Sequence, residues 1–270
     1  MMRSDNIKNE EGVSEAIGFI IIFGLVMTGI ALITLYGYPM LLQQQSNADV
    51  RNMEQTTVVL QNDIKSLCYK NVPYKETALQ VSGGVLTVEN CTETRERFEI
   101  SVIKRDGDDN TSAIDQIKGL SPFSPGAFVY TADSQDATIA LENGAVIRAQ
   151  AGGSSMLAEP RWYVDVQESE KTFVINLVAL NTSGPMARSG MGNVRMQLKS
   201  SKPPLILDLP DKETVKVTYL ATDLEGFPKA WENYLTGTLG MTKSGDTNTY
   251  TLKEVSRLII KKYEVQVLGI

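Results

Sequence analysis

One stretch, Gly12 to Leu42, limits what this chain can become. It reads Gly-Val-Ser-Glu-Ala-Ile-Gly and then runs apolar to Tyr38, with no charged residue between Glu15 and Asp49. The uncharged run from Ala16 to Tyr38 is about 23 residues long, roughly 34 Å as a helix at about 1.5 Å per residue. A hydrocarbon core is about 30 Å thick. Only a helix satisfies its own backbone across that distance, so the stretch predicts a single membrane-spanning helix. A removable secretory signal would have an apolar region of about 7–15 residues followed by a small-x-small cleavage site. This run is longer, and no such site follows it. A buried core helix is the other ordinary reading, and a run this long without a charge speaks against it. Tyr36 and Tyr38 fall where interfacial aromatics belong, and Pro39 and Gln43–Gln45 mark the exit.

The residues ahead of the run add a more specific signal. A polar leader, Met1 to Gly12, carries Arg3, Lys8, Glu10 and Glu11. Val13-Ser14-Glu15-Ala16-Ile17-Gly18 then opens the apolar helix. This resembles the class III signal of archaeal type IV pilins and archaellins, in which a polar leader is clipped at a small residue directly before the helix. Glu15 stands where many members carry Pro, and Glu10-Glu11 where a basic residue is usual. The resemblance implies a prepilin peptidase-like protease cutting after Gly12, so that Val13 becomes the N-terminus. It also implies like or related pilin subunits as partners through the N-terminal helix. Glu15 would pair there with the terminal amine of a neighbouring subunit, since a carboxylate at an apolar helix edge is costly unless paired. Equally, Glu15 can rest in the headgroup layer, where the start of a helix favours an anion. Ser14/Gly18 and Gly24/Thr28 place small residues one turn apart, a weak sign of close helix packing.

Arg3 and Lys8 precede the helix, and the next basic residue is Arg51. That asymmetry puts the N-terminus in the cytoplasm and the bulk of the chain outside a cell membrane. The net charge of −6 gives no reason to expect nucleic acid; membrane lipid is the expected non-protein partner. The chain has no His, which removes the commonest acid–base group and metal ligand. It has no Gly-x-Ser-x-Gly, no paired-Cys metal motif and no phosphate loop, since Gly152-Gly153-Ser154-Ser155 lacks the lysine. Asp106, Asp108 and Asn110 match the first ligand positions of a calcium loop, but Thr111 stands where Gly is required, and a solvated turn is expected. The expectation is therefore no enzyme, no cofactor and no metal. A carboxylate pair for glycan hydrolysis is the one enzymatic reading left open, because spacing says nothing about separation.

Cys68 and Cys91 lie beyond the anchor. They either form one disulfide in an oxidising exterior or remain two buried thiols. Asn90, Asn110 and Asn181 begin glycosylation sequons, each weak alone and together in keeping with a surface glycoprotein.

Past the membrane, Val50, Met53, Thr57, Leu60, Ile64 and Leu67 repeat at alternating spacings of three and four, a narrow apolar stripe. It predicts one helix from about Ser14 to Cys68, kinked or broken at Pro39. The stripe serves either a stem packed on neighbouring subunits or a helix lying on its own head domain. After Pro73 the texture turns to short alternating runs. Gly83-Gly84 and Asn143-Gly144 both read as hairpin turns. Arg161–Val166 and Thr172–Leu180 read as a strand pair, the second central. Asn181–Asn193 reads as a long loop, 227–235 as a short helix with Trp231 and Leu235 in the core, and Thr249–Leu252 with Leu258–Leu268 as a final hairpin. Lys261 and Lys262 in that hairpin read as the mark of an edge strand.

The predicted class is α+β: a leader over 1–12, a transmembrane helix over 13–42, an amphipathic stem over 43–70, and a mainly antiparallel, β-sandwich-type extracellular head over 71–270. This order resembles archaeal pilin-like surface proteins, and Asn143-Gly144 through Gly153-Ser154-Ser155 to Glu159-Pro160 is similar to their middle section. The resemblance implies a structural or adhesive subunit of a surface filament or pseudopilus. The main alternative is a non-assembling surface protein whose head binds a ligand.

Overall fold

The structure is a computed structural model that describes residues 6–70, 72–92, 97–221, 227–245 and 247–270, with side chains from Ser14 onward. It divides into two compact units, Met1–Ala48 and Asp49–Ile270.

Helix α1, Asn6–Leu32, continues through a π-helical turn, Ile33–Gly37, into α2, Tyr38–Lys70. Pro39 was expected to kink or break the helix; the helix runs past it unbroken, with a π-helical turn just ahead of it. Proline has no N–H to give and its ring crowds the carbonyl four residues back. The turn before it widens, and the Tyr38 N–H donates to the Ile33 carbonyl, five residues back. Thr28 and Thr34 donate their hydroxyls to the carbonyls of Gly24 and Ile30, so neither is left unpaired in an apolar surrounding.

In the second unit, every residue of the α2 stripe is buried: Val50, Met53, Thr57, Leu60, Ile64 and Leu67. The five apolar ones join Leu79, Leu86, Phe128, Tyr130 and Val146 in one hydrophobic cluster. The stripe thus serves its own domain. Polar contacts fix the helix along its length. Glu54 pairs with Arg148 at 2.6 Å. Gln61 donates to the carbonyls of Gly144 at 2.7 Å and Glu159 at 3.0 Å. Asp63 takes Lys75 at 3.3 Å and the Thr77 hydroxyl.

The strands are β1 Tyr74–Glu89, β2 Arg97–Ile103, β3 Ala127–Ala132, β4 Ala137–Glu142, β5 Ala145–Gln150, β6 Gly153–Ala158, β7 Tyr163–Gln167, β8 Glu170–Thr182, β9 Met186–Ser201, β10 Leu205–Leu220, β11 Thr242–Lys243 and β12 Thr249–Gly269. Nine of them form the path β2-β10-β12-β9-β1-β3-β4-β5-β6, and β7, β8 and β11 attach through β8 and β12. Pairing is antiparallel except between β8 and β12, which run parallel. Residues Phe173 to Leu180 of β8 are all buried. Phe173, Ile175, Leu177 and Ala179 face one core cluster, and Val178 and Leu180 face the cluster under α2. A strand covered on both faces reads as a continuous apolar run, as this one does.

Several expectations are corrected. Gly83-Gly84 is no hairpin. β1 runs through it, and its register with β9 shifts between Val81 and Leu86. Gly83 has φ +62°, which serves a bulge as well as a turn. At Gly84 a Cβ would stand 2.3 Å from the Thr131 carbonyl oxygen, so β3 crosses where only glycine fits. The final hairpin is one strand, β12, bent near Glu254 at φ +60°. β12 has neighbours on both edges, so Lys261 and Lys262 lie in a central strand. They manage it by folding over aromatic rings: Lys261 Nζ is 4.9 Å from the Tyr263 ring centre and Lys262 Nζ 5.9 Å from that of Phe123. Most of the expected 181–193 loop is the start of β9. The sequence reading also missed α3, Thr111–Ile117. The Asn143-Gly144 hairpin stands as expected, joining β4 and β5 with positive φ at both residues. Helix α4, Pro228–Asn233, runs into a π turn, Tyr234–Thr238, and buries Trp231 and Leu235 completely.

Burial leaves a pH signature. It pushes the Cys68 thiol up to about 12 and the Tyr250 hydroxyl up to about 12, and raises Tyr69 and Tyr234 as well. Among the described residues the buried Tyr250 hydroxyl has no hydrogen-bond partner. Each group keeps its proton longer in the folded state than in the unfolded chain, where a thiol loses it near about 8.5 and a phenol near about 10. Their contribution is therefore complete at neutral pH and falls as pH climbs from about 8.5 toward 12. Urea unfolding midpoints should decline steadily over that range; midpoints unchanged up to pH 11 would contradict the assignment.

Candidate functional site

Among the described residues, no three His, Cys, Asp or Glu side chains are placed to hold a metal ion. Asn110, in the candidate calcium loop, is instead the N-cap of α3. Its Oδ1 accepts from the Ala113 N–H at 3.1 Å, and its Nδ2 donates to both carboxylate oxygens of the buried Glu213 at 2.8 and 2.7 Å. Asp106 Oδ1 accepts from the Asp108 N–H, closing the turn.

The feature with functional content is the apolar helix. From Ser14 to Leu42 no residue is buried, and large side chains are exposed all round it. Ile20 is 66 % exposed, Leu25 73 % and Ile33 71 %. A helix apolar on every face has no stable place in water and belongs in a membrane or between other apolar helices. The helix containing these residues is long and apolar enough to cross a membrane. Glu15 lies exposed within α1, nine residues after the helix begins at Asn6, and among the described residues makes no ion pair. The backbone of Gly12 and Val13 is part of α1, but their side chains and residues 1–5 of the leader lie outside the described residues.

In the structure Cys68 and Cys91 are separate free thiols, one of the two readings that the sequence left open. Cys68 is buried in the cluster under α2. Cys91 packs against the other cluster and donates its thiol to Asn181 Oδ1 at 2.9 Å. Cys68 should therefore resist alkylation at pH 8 until the protein unfolds, and reductant should leave the melting temperature unchanged. Intact-mass spectrometry without reductant, showing loss of two hydrogens, would refute this.

The sequon asparagines are all half-buried. Asn90 Nδ2 donates to the Thr182 carbonyl at 3.0 Å. A glycan attaches at Nδ2, so modification of Asn110 would remove one of the two protons bridging it to Glu213. The sequence reading missed Gln61, a polar residue beside the stripe and 1 % exposed. Its neighbours Leu60 and Ile64 were the available signal, since a polar residue among buried positions needs partners.

No curated protein and no solved structure matches the chain significantly. A family match does cover nearly all of it, residues 11–268. The chain belongs to the DUF7289 family, a family of unknown function.

Proposed function

We propose that this chain is a membrane-anchored, pilin-like subunit of a cell-surface filament or pseudopilus, structural or adhesive rather than enzymatic. The observation that carries the reading is the helix from Ser14 to Leu42, apolar on every face and entered through Val13-Ser14-Glu15-Ala16-Ile17-Gly18. In this reading a prepilin peptidase-like protease cuts after Gly12. The helix rests in lipid before assembly and among the helices of like subunits afterwards. Glu15 then pairs with the Val13 amine of a neighbour. The N-terminus is cytoplasmic and the head, a pilin-like β domain of sandwich type with core on both faces of β8, is extracellular.

A second reading, a single-pass surface protein that does not assemble, has one observation in its favour. The α2 stripe is used up inside its own domain, so the stem keeps no apolar seam for neighbours.

The N-terminal residue of protein isolated from its native membrane separates the two. A start at Val13 supports pilin-type processing; a start at Met1 or Met2 favours the simple anchor. Glu15→Ala should leave membrane insertion intact and cut filament yield by about tenfold or more, the scale expected when a buried charge loses its partner. Unchanged filaments would sink the pairing.

A further inference from the structure

The outer face of the β1–β9 pairing carries an arginine that faces a carboxylate without pairing with it. Glu76 stands opposite Arg195 in the register, and Ala78 opposite Asn193. Tyr74, Glu76, Asn193 and Arg195 are exposed, while Val194 and Met196 point into the core. Opposite charges facing each other on a sheet ordinarily form a cross-strand pair. Here both oxygens of Glu76 take neutral donors: Oε1 accepts from Asn193 Nδ2 at 3.0 Å and Oε2 from the Tyr74 hydroxyl at 3.0 Å. Among the described residues Arg195 forms no ion pair. Its guanidinium lies against Gly269, where a Cβ would stand 2.8 Å from Nη2.

A second guanidinium is placed in a similar way. Arg188 Nε donates to the Met191 carbonyl at 2.8 Å, and Nη2 donates to the same oxygen. It rests on Gly192, where a Cβ would stand 2.8 Å from Nε. Glu76, Arg188, Asn193, Arg195 and Ile270 are among the residues lining an open cavity of about 460 Å³, within the size range of small-ligand sites. The side-chain charges around it are two guanidiniums and one carboxylate.

A guanidinium without a carboxylate partner in an open surface pocket is suited to a planar anion, which it can bind with two parallel N–H donors. Glu76 adds a fixed acceptor beside it. A ligand that satisfies both carries an acid group and hydroxyl donors together. We propose that this groove binds an acidic carbohydrate, a hexuronate unit, with its carboxylate on Arg195 and a hydroxyl donating to Glu76. Arg188 adds positive charge at the rim. The site belongs to the β domain, and the proposal does not rest on filament assembly.

The test uses the full chain in detergent micelles, titrated with sodium glucuronate by calorimetry at fixed ionic strength. Saturable binding is expected, with sodium acetate and glucose each at least tenfold weaker, because each supplies only one of the two groups. Arg195→Gln should weaken glucuronate binding at least tenfold. Glu76→Gln should weaken it severalfold without changing acetate binding. Gly269→Ala keeps the arginine but pushes its guanidinium aside, and should weaken binding comparably with the melting temperature intact. Arg257→Gln, at an exposed arginine paired with Asp208, should bind as the wild type does. Polygalacturonate forms a second arm: saturation by polymer and not by monosaccharide, lost in Arg195→Gln, assigns the site to an internal uronate of a chain. No saturation by either below about 30 mM, acetate binding as tightly as glucuronate, or wild-type binding by both Arg195→Gln and Gly269→Ala would overturn the proposal.

Discussion

A chain lacking Met1–Ala48 should be soluble, monomeric and folded, whereas a chain lacking Met1–Lys70 should not fold. The two deletions differ only by residues 49–70, so the contrast isolates what the second part of the helix contributes. Those residues supply Val50, Met53, Leu60, Ile64 and Leu67, each 2 % exposed or less. At roughly 1.5–3 kcal/mol for each buried apolar side chain, their loss amounts to on the order of 10 kcal/mol. The whole stability of a domain is about 5–15 kcal/mol. Removing the helix would also bare the β residues beneath it, including Phe128, Tyr130 and Val146, and strand the groups that Gln61 and Glu54 now satisfy. The shorter deletion takes away only the first compact unit, whose apolar surface is what would make the full chain insoluble without detergent. Circular dichroism and size-exclusion chromatography of both fragments check this. A folded, cooperative 71–270 fragment would show that the helix is an accessory to the domain and not part of its core.

That result would also move the domain boundary inferred from the sequence. The sequence divides at Leu42, where the apolar run ends, and again at Lys70, where strands begin. The compact unit begins at Asp49, inside the helix. Periodicity was legible there, because alternating spacings of three and four mark one helix face whatever covers it. What covers it was not legible, since a stripe looks the same whether it meets a sheet of its own chain or another subunit.

The strands show the same limit. Asn143-Gly144 was readable because two consecutive positive-φ residues between short apolar runs have few uses other than a tight hairpin. Gly83-Gly84 offers the same letters, but a bulge and a close crossing by β3 need glycine too. Nothing local distinguishes the cases. Lys261 and Lys262 misled for a related reason: long cationic side chains reach out over Tyr263 and Phe123, so a central strand can carry them. The parallel pairing of β8 with β12 joins segments far apart in the chain, and only the unbroken apolar character of β8 hinted that both its faces are covered. The groove around Arg195 was invisible for the same cause. Glu76 and Arg195 meet across strands distant in sequence, and what makes the site unusual is a pairing that does not form.

Replacing Trp231 with Ala should be among the most destabilising single changes in the β domain. The residue is fully buried at the centre of an aromatic cluster. Its ring centre lies 4.8 Å from that of Phe98, 5.7 Å from Trp162, 5.9 Å from Tyr219 and 6.0 Å from Tyr234. Truncating a buried Trp costs about 3–5 kcal/mol, and four rings facing the gap cannot all collapse into it. Trp231 also donates its indole N–H to Glu142 Oε1, which accepts from the Tyr219 hydroxyl at 3.2 Å as well. Glu142 is 1 % exposed, so losing one of those donors adds about 1–3 kcal/mol. The two terms separate by substitution. Trp231→Phe keeps most of the packing and loses the donor, and should lower the melting temperature by roughly 3–10 °C; Trp231→Ala should lower it by roughly 10–25 °C. Val166→Ala, at a position 61 % exposed, should move it by no more than about 2 °C. If Trp231→Phe proves as damaging as Trp231→Ala, the hydrogen bond to Glu142 and not the ring packing holds this cluster together.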